Sequence, residues 1–75
     1  MDTYKVIRIS LEKGFEIPPH ADSHSAFFLV LQGKGIFKST NGETELAQNE
    51  YIFIEANEVR GIKCIENLVI LAVKD

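Results

Sequence analysis

The chain has 75 residues, which is enough for one small domain, residues 1–75, and too few for a second. Its net charge of −3, without a basic cluster or a tryptophan, argues against nucleic-acid binding, because phosphate contacts need concentrated Lys and Arg. No apolar run approaches the roughly 20 residues of a membrane-spanning helix, so we expect no membrane partner. The N-terminal segment alternates like a strand and does not resemble a signal peptide, and we expect a cytoplasmic protein.

The shortness of the chain limits the stability that its own core can supply. A domain of this size buries only about 60 % of the surface that its unfolded chain exposes. Cys64 is the single cysteine, so no intrachain disulfide can form, and we expect this residue to be buried as a small apolar side chain. Packing between identical copies is the remaining source of stability.

The first predicted elements are extended. Val6, Ile7 and Ile9 alternate with polar residues, which predicts a half-buried strand followed by a turn. A second strand is predicted through Pro18-Pro19, since proline forbids helix and biases its predecessor toward the β region.

A short polar segment separates that second strand from an apolar run, and a Gly-Lys-Gly sequence at 33–35 predicts a turn after the run. We interpret the unit as a hairpin whose polar tip or inner face carries His20, Asp22 and His24. These three residues are the first candidates for a functional site.

The rest of the chain continues as short strands without helical periodicity. Asn41-Gly42 is a strong hairpin signal between two of them, and Glu66-Asn67 predicts a turn between two others. Seven or eight short strands at regular spacing, separated by Gly and Asn turns, predict an all-β barrel or sandwich.

Two of the predicted strands, residues 51–54 and 68–73, are apolar on both faces. Antiparallel sheets that have one face in water normally alternate apolar and polar residues. One face of these strands should therefore line the interior, and the other should meet a second sheet or a second subunit. The pattern predicts a homodimer.

The segment between two glycines in the first half of the chain resembles the first motif of the cupin superfamily, a group of small β-barrels. That motif is Gly, five residues, His-x-His, three or four residues, Glu, six residues and Gly. Its register falls here on Gly14, His20, Asp22, Ala26 and Gly33, with every spacing kept.

The second cupin motif is Gly, five residues, Pro-x-Gly, two residues, His, three residues and Asn. Its register falls on Asn49, Glu55, Asn57, Arg60 and Cys64, without an insertion. The resemblance implies an all-β fold, namely a small cupin-type β-barrel, also described as a double-stranded β-helix or jelly roll.

The resemblance also implies where a metal would be held. In cupins with a metal, the ligands are the His pair and the Glu of the first motif and the His of the second. Only His20 matches, while Asp22, Ala26 and Arg60 stand at the other three positions. A methyl group and a guanidinium cannot ligate a transition metal, so we expect neither a metal nor another cofactor.

The motif register points the side chain of Arg60 toward His20 and Asp22. Two interpretations of this orientation are open. Either it pairs with Asp22 and satisfies a buried charge, or its planar fork binds the carboxylate or phosphate of a small ligand. Three roles are open for His20. It can be a hydrogen-bonded residue at the barrel mouth, it can contact a bound small molecule, or it can coordinate a metal. His24 falls in a turn, where a solvated ring is expected and an inward orientation is the alternative.

Three classes of function follow from these observations. The leading hypothesis is a metal-free module that binds a small anionic ligand through His20, Asp22, His24 and Arg60, with no catalytic residue assigned. The alternative is a metal-dependent enzyme of the dioxygenase or isomerase type that uses His20 and Asp22, with His24 as a further candidate ligand. The third class is a structural or regulatory protein, such as a dimerisation module. The sequence does not identify the ligand or decide between these classes.

Overall fold

Residues 4–74 are described by the computed structural model, and they form six β-strands and no helix. The strands are β1 (Lys5–Leu11), β2 (Glu16–Ala21), β3 (Ala26–Ser39), β4 (Gly42–Ala47), β5 (Tyr51–Ile54) and β6 (Val59–Lys74). All pairings between them are antiparallel. The all-β prediction is confirmed, and within residues 4–74 no helix could cross a membrane.

The two long strands, β3 and β6, organise the fold because each belongs to two halves of the sheet. In the first sheet half, the end of β6 pairs with the start of β3, β1 lies beyond β6 and β5 lies beyond β3. In the second sheet half, the start of β6 pairs with the end of β3, β2 lies beyond β6 and β4 lies beyond β3. Phe28 of the first half and Phe37 of the second have ring centroids 5.9 Å apart, so the halves face each other across a common core.

The predicted turns at 33–35 and 66–67 are wrong, because β3 and β6 run through both positions. The pairing of β3 with β6 shifts register between Val30 and Gly35, which marks bulges where the ladder is interrupted. The described chain consequently has six strands, two of them long, where seven or eight short ones were expected. Glycine and asparagine at these positions mark irregularities within strands and not the ends of strands.

The irregularity in β3 also changes which of its residues face inward. Phe28 and Val30 are buried before it and Phe37 after it, so the buried positions change from even to odd numbers. An extra residue in a strand has this effect because successive side chains point to opposite faces. Both halves of β3 therefore contribute to one core. Its buried residues are Ala26, Phe28, Val30, Phe37, Leu46, Ile54, Ile62, Cys64, Leu68, Ile70 and Ala72.

The motif register agrees with the backbone at each position where it expects glycine. Gly14 and Gly33 both have φ of 88°, while Asn49 and Asn57 have φ of 71° and 70°. Asparagine is the residue that most readily replaces glycine in the left-handed region, because its short polar side chain can bond locally. The two asparagines therefore keep the left-handed turns of the second motif, although the motif has glycine at both positions.

One of the two predicted hairpins is confirmed and the other is wrong. Ser39 pairs with Gly42 across a two-residue loop, so β3 and β4 form the expected hairpin. In contrast, β2 pairs with β6 and not with β3. Pro18 and Pro19 are not paired in the ladder between β2 and β6, because proline has no N–H donor. After β2, the chain crosses to the first sheet half, where β3 begins.

A pair of glycine substitutions tests the contact between the bulges. A Cβ on Gly33 would overlap the backbone oxygen of Asn67, whereas a Cβ on Gly14 would meet no atom within 4 Å. Because both have the same φ, Gly14→Ala measures backbone strain alone, about 1 kcal/mol. We expect Gly33→Ala to lower the free energy of unfolding by roughly 2–3 kcal/mol more, as measured by urea denaturation. Equal losses in the two variants would contradict this close packing.

Candidate functional site

A cavity of about 140 Å³ lies inside the barrel and combines apolar walls with basic side chains. His20 on β2 pairs with Arg60 on β6, which places both on neighbouring strands at the cavity. Lys74, at the end of β6, is paired with Ala26 of β3 and reaches the same cavity. The remaining walls come from Ile9, Ile17, Phe28, Gly61 and Ile62.

His20 is exposed and its orientation is set by the backbone of its own strand. Its Nδ1 lies 3.0 Å from the carbonyl oxygen of Pro18. A carbonyl oxygen only accepts, so Nδ1 carries the hydrogen and Nε2 of the neutral ring is left as an acceptor. His20 therefore offers a lone pair when neutral and a second N–H donor when protonated.

Arg60 is the buried charged residue of the described core, with 4 % of its surface exposed. Its Nη2 donates to the carbonyl oxygens of Glu55 at 3.1 Å, Glu58 at 3.2 Å and Asp22 at 3.4 Å, and its Nε donates to Glu58 at 3.4 Å. These bonds tie the β5–β6 loop to the segment after β2. Its Nη1 is buried and has no hydrogen-bond partner within residues 4–74.

The first interpretation of Arg60, an ion pair with the Asp22 carboxylate, is wrong. The guanidinium bonds the backbone oxygen of Asp22, and the Asp22 carboxylate accepts the backbone N–H of His24 at 2.9 Å. That hydrogen bond is the main reason that the pKa of Asp22 lies below its usual value. Partial burial raises the pKa, and the positive charge of Arg60 lowers it. Asp22 thus acts as a turn residue that bonds its own backbone, which is common for Asp.

The cavity brings together two of the four residues predicted for ligand binding. His20 and Arg60 line it, whereas Asp22 and His24 lie in the β2–β3 connection and are not among its walls. Lys74 was missed because nothing in the sequence distinguishes it from other surface lysines. Its position follows from pairing with Ala26, which lies at the family's Glu position.

Cys64 is buried, as the sequence predicted, with 2 % of its surface exposed. Its Sγ lies 3.2 Å from the carbonyl oxygen of Glu66 and 3.4 Å from that of Leu11. The thiol therefore fills the core and bonds the backbone, at the position where the second cupin motif has asparagine.

The residues present do not fit the metal that many cupins hold. Ala26 is buried in the core with 1 % of its surface exposed, and Arg60 presents a cation where the motif has its last histidine. Across residues 4–74 no three His, Cys, Asp or Glu side chains converge as a metal-binding group. A transition metal needs imidazole and carboxylate donors that meet at one point, and this cavity supplies a single imidazole.

A larger, shallow depression of about 540 Å³ borders the β1–β2 turn, and consecutive residues from Ser10 to Phe15 form its walls. It contains Glu12 and Lys13 but no group of converging functional side chains. We therefore place the candidate site in the barrel cavity, where basic groups from two different strands meet at apolar walls.

Substitution of Arg60 tests whether its guanidinium stabilises the backbone carbonyl oxygens or the carboxylate of Asp22. Arg60→Met leaves three backbone carbonyl oxygens without their charged donor, and we expect a loss of about 1–3 kcal/mol in the free energy of unfolding. Adding Asp22→Asn should recover almost none of it, since that carboxylate bonds His24 and an amide oxygen can replace it. Denaturation of both single variants and the double variant checks this. Recovery of most of the loss would indicate an Arg60–Asp22 ion pair after all.

Residues 7–74 match the family model described as Cupin domain. No curated protein matches the chain. Three solved structures illustrate the likeness in fold. An RmlC-like cupin from Shewanella frigidimarina has a TM-score of 0.90 and 20 % identity over 95 % of this chain and 64 % of that one.

A predicted oxalate decarboxylase from Thermotoga maritima has a TM-score of 0.83 and 21 % identity over 92 % of this chain and 63 % of that one. Salicylate 1,2-dioxygenase from Pseudaminobacter salicylatoxidans has a TM-score of 0.93 and 17 % identity over 100 % of this chain and 22 % of that one. This chain spans less than two thirds of each of the three, and at these identities the likeness shows the fold alone. By its match over residues 7–74 and by its bent antiparallel sheet, the chain belongs to the cupin family.

Proposed function

We propose that this cupin binds a small organic anion in the barrel cavity without the help of a metal. The observation that carries the proposal is the buried Arg60, which lines the cavity and has an Nη1 atom without a partner in the described chain. Its other bonds go to neutral carbonyl oxygens, so the positive charge is not cancelled by a direct carboxylate contact. Buried charge of this kind favours an anion nearby.

The neighbouring groups support the same ligand class. Lys74 adds a second cation, and His20 adds a group that can accept or donate a hydrogen bond. The volume of about 140 Å³ corresponds to roughly five to eight non-hydrogen atoms. Because the other walls are three isoleucines, a phenylalanine and a glycine, a ligand with an apolar body fits better than one that needs many hydrogen bonds. Asp22 and His24 remain predicted ligand-binding residues that would act from the loop beside the cavity.

A metal-dependent enzyme is the second candidate, because two of the similar folds belong to a predicted oxalate decarboxylase and a salicylate dioxygenase. For this chain that function would rest on His20 and Asp22. The methyl group of Ala26 and the guanidinium of Arg60 argue against it, since neither can replace a lost ligand. A structural role remains the third class, and a cytoplasmic location stays a prediction.

A ligand titration tests the proposed function. We expect short carboxylates with an apolar body to shift the NMR signals of cavity residues such as Phe28 and Ile62, with one site per chain. Lys74→Met should weaken that binding about tenfold or more, which corresponds to about 1.4 kcal/mol. Lys5→Met is the matched control, because Lys5 pairs with Lys74 but is not among the cavity walls. If no short carboxylate shifts these signals, the proposed function fails.

Elemental analysis distinguishes the metal-dependent enzyme from the metal-free binding protein. We expect the purified protein to carry far less than one transition metal per chain, because the donor set offers one imidazole at the cavity. A metal near one equivalent that is lost in His20→Ala would contradict the metal-free proposal.

A further inference from the structure

The cavity wall that β2 and β6 form together has a polar end and an apolar end. His20 is paired directly with Arg60, and Ile17 is paired directly with Ile62. Arg60 and Ile62 are two residues apart on β6, so their side chains lie on the same face of the strand, and both line the cavity. A ligand that lies along this wall therefore meets charged and hydrogen-bonding groups at one end and branched aliphatic side chains at the other.

The cavity contains two cationic side chains and no acidic residue of the described chain among its walls. Arg60 is 4 % exposed, and its buried Nη1 has no hydrogen-bond partner within residues 4–74. Lys74 lines the same cavity from the end of β6. A ligand carboxylate is attracted by both charges, and it can accept the hydrogen bond that Nη1 has not yet made.

His20 adds a hydrogen-bond acceptor whose orientation is fixed. Its Nδ1 donates to the carbonyl oxygen of Pro18 at 3.0 Å, so the neutral ring presents the lone pair of Nε2. The backbone of β2 beside the ring is held as well, because Gly61 of β6 allows the two strands to approach closely. A Cβ on Gly61 would lie 2.9 Å from Cα of Pro19. Beside its two cations, the cavity therefore has one acceptor that pairs only with a donor group.

We propose that the ligand is a short 2-hydroxy carboxylate with an aliphatic body, an inference that rests on the proposed function of anion binding. Its carboxylate lies at Arg60 and Lys74, and its hydroxyl group donates to Nε2 of His20. Directly paired residues have Cβ atoms about 4.5–5.5 Å apart, so a hydroxyl group on the carbon next to the carboxylate can reach His20 while the carboxylate stays at Arg60. The aliphatic body then packs against Ile17 and Ile62.

The same walls disfavour related small anions. A 2-oxo carboxylate brings only acceptor oxygens, which repel the Nε2 lone pair of a neutral His20. A 2-amino carboxylate brings an ammonium group to a cavity that already holds Arg60 and Lys74. A sugar phosphate has many hydroxyl groups, which would lose water against the apolar walls without gaining partners. The single hydroxyl group next to the carboxylate is thus the feature that this cavity selects.

Ligands of equal size test the role of the hydroxyl group. Pivalate has a methyl group where 2-hydroxyisobutyrate has its hydroxyl group, and the two are otherwise the same. At about pH 8, where imidazole is neutral, we expect calorimetric titration to show that 2-hydroxyisobutyrate binds about fivefold or more tightly than pivalate, because of the added hydrogen bond. We expect the same order for 2-hydroxybutyrate over 2-oxobutyrate.

The outcomes separate this inference from the proposed function. If pivalate or 2-oxobutyrate binds as tightly as its hydroxy partner, or more tightly, the inference is overturned and anion binding stands. If none of these carboxylates binds, both are overturned.

Substitutions of His20 test whether this residue recognises the hydroxyl group. His20 is exposed, so its replacement leaves the core intact. His20→Phe keeps a ring but removes the acceptor, and the apolar walls then favour the extra methyl group, so we expect pivalate to become the tighter ligand. In His20→Gln the side-chain carbonyl oxygen can accept the same hydrogen bond, and the preference for 2-hydroxyisobutyrate should return in part.

Lys74→Met is the matched control, because it acts on the carboxylate that both ligands share. We expect it to weaken the binding of both by a similar factor and to leave the ratio of their affinities unchanged. A preference for 2-hydroxyisobutyrate that persists in His20→Phe would overturn the assignment of the hydroxyl group to His20.

Discussion

The contact between the bulges of β3 and β6 is the constraint on which the rest of the structure depends. Gly33 lies against the backbone carbonyl groups of Glu66 and Asn67, and the Asn67 side chain accepts the backbone N–H of Lys13 at 2.8 Å. A flat sheet of these six strands would leave its apolar face uncovered. Bent at the bulges, its two halves cover each other and enclose both the core and the cavity.

Arg60 has a structural role and a chemical one at the same time. Its bonds to the carbonyl oxygens of Asp22, Glu55 and Glu58 tie two loops at one end of the barrel. Carbonyl dipoles solvate a guanidinium without neutralising it, so the charge remains next to the cavity. This is the physical reason that an anion fits the proposed site better than a neutral or cationic ligand.

The cavity lies on one side of the first sheet half, and the other side of that half faces away from the core. Phe28 lines the cavity, while its neighbours Phe27 and Leu29 lie on the opposite side of the sheet. Side chains alternate along a strand, so β3 presents one set of residues to the cavity and the other set to the opposite side of the sheet.

Much of the fold was determined by the sequence alone, because strand alternation, the Asn-Gly hairpin and the left-handed positions of the motif glycines depend on consecutive residues. The sequence also predicted an inward Arg60, through the motif register. Only the tertiary structure decided that Gly33 bends a strand instead of ending it, since that depends on β6 lying against it. It also decided that Arg60 bonds the backbone of Asp22, 38 residues away, and that Lys74 reaches the cavity. Such choices of partner are made by the packing of distant segments, which no local pattern records.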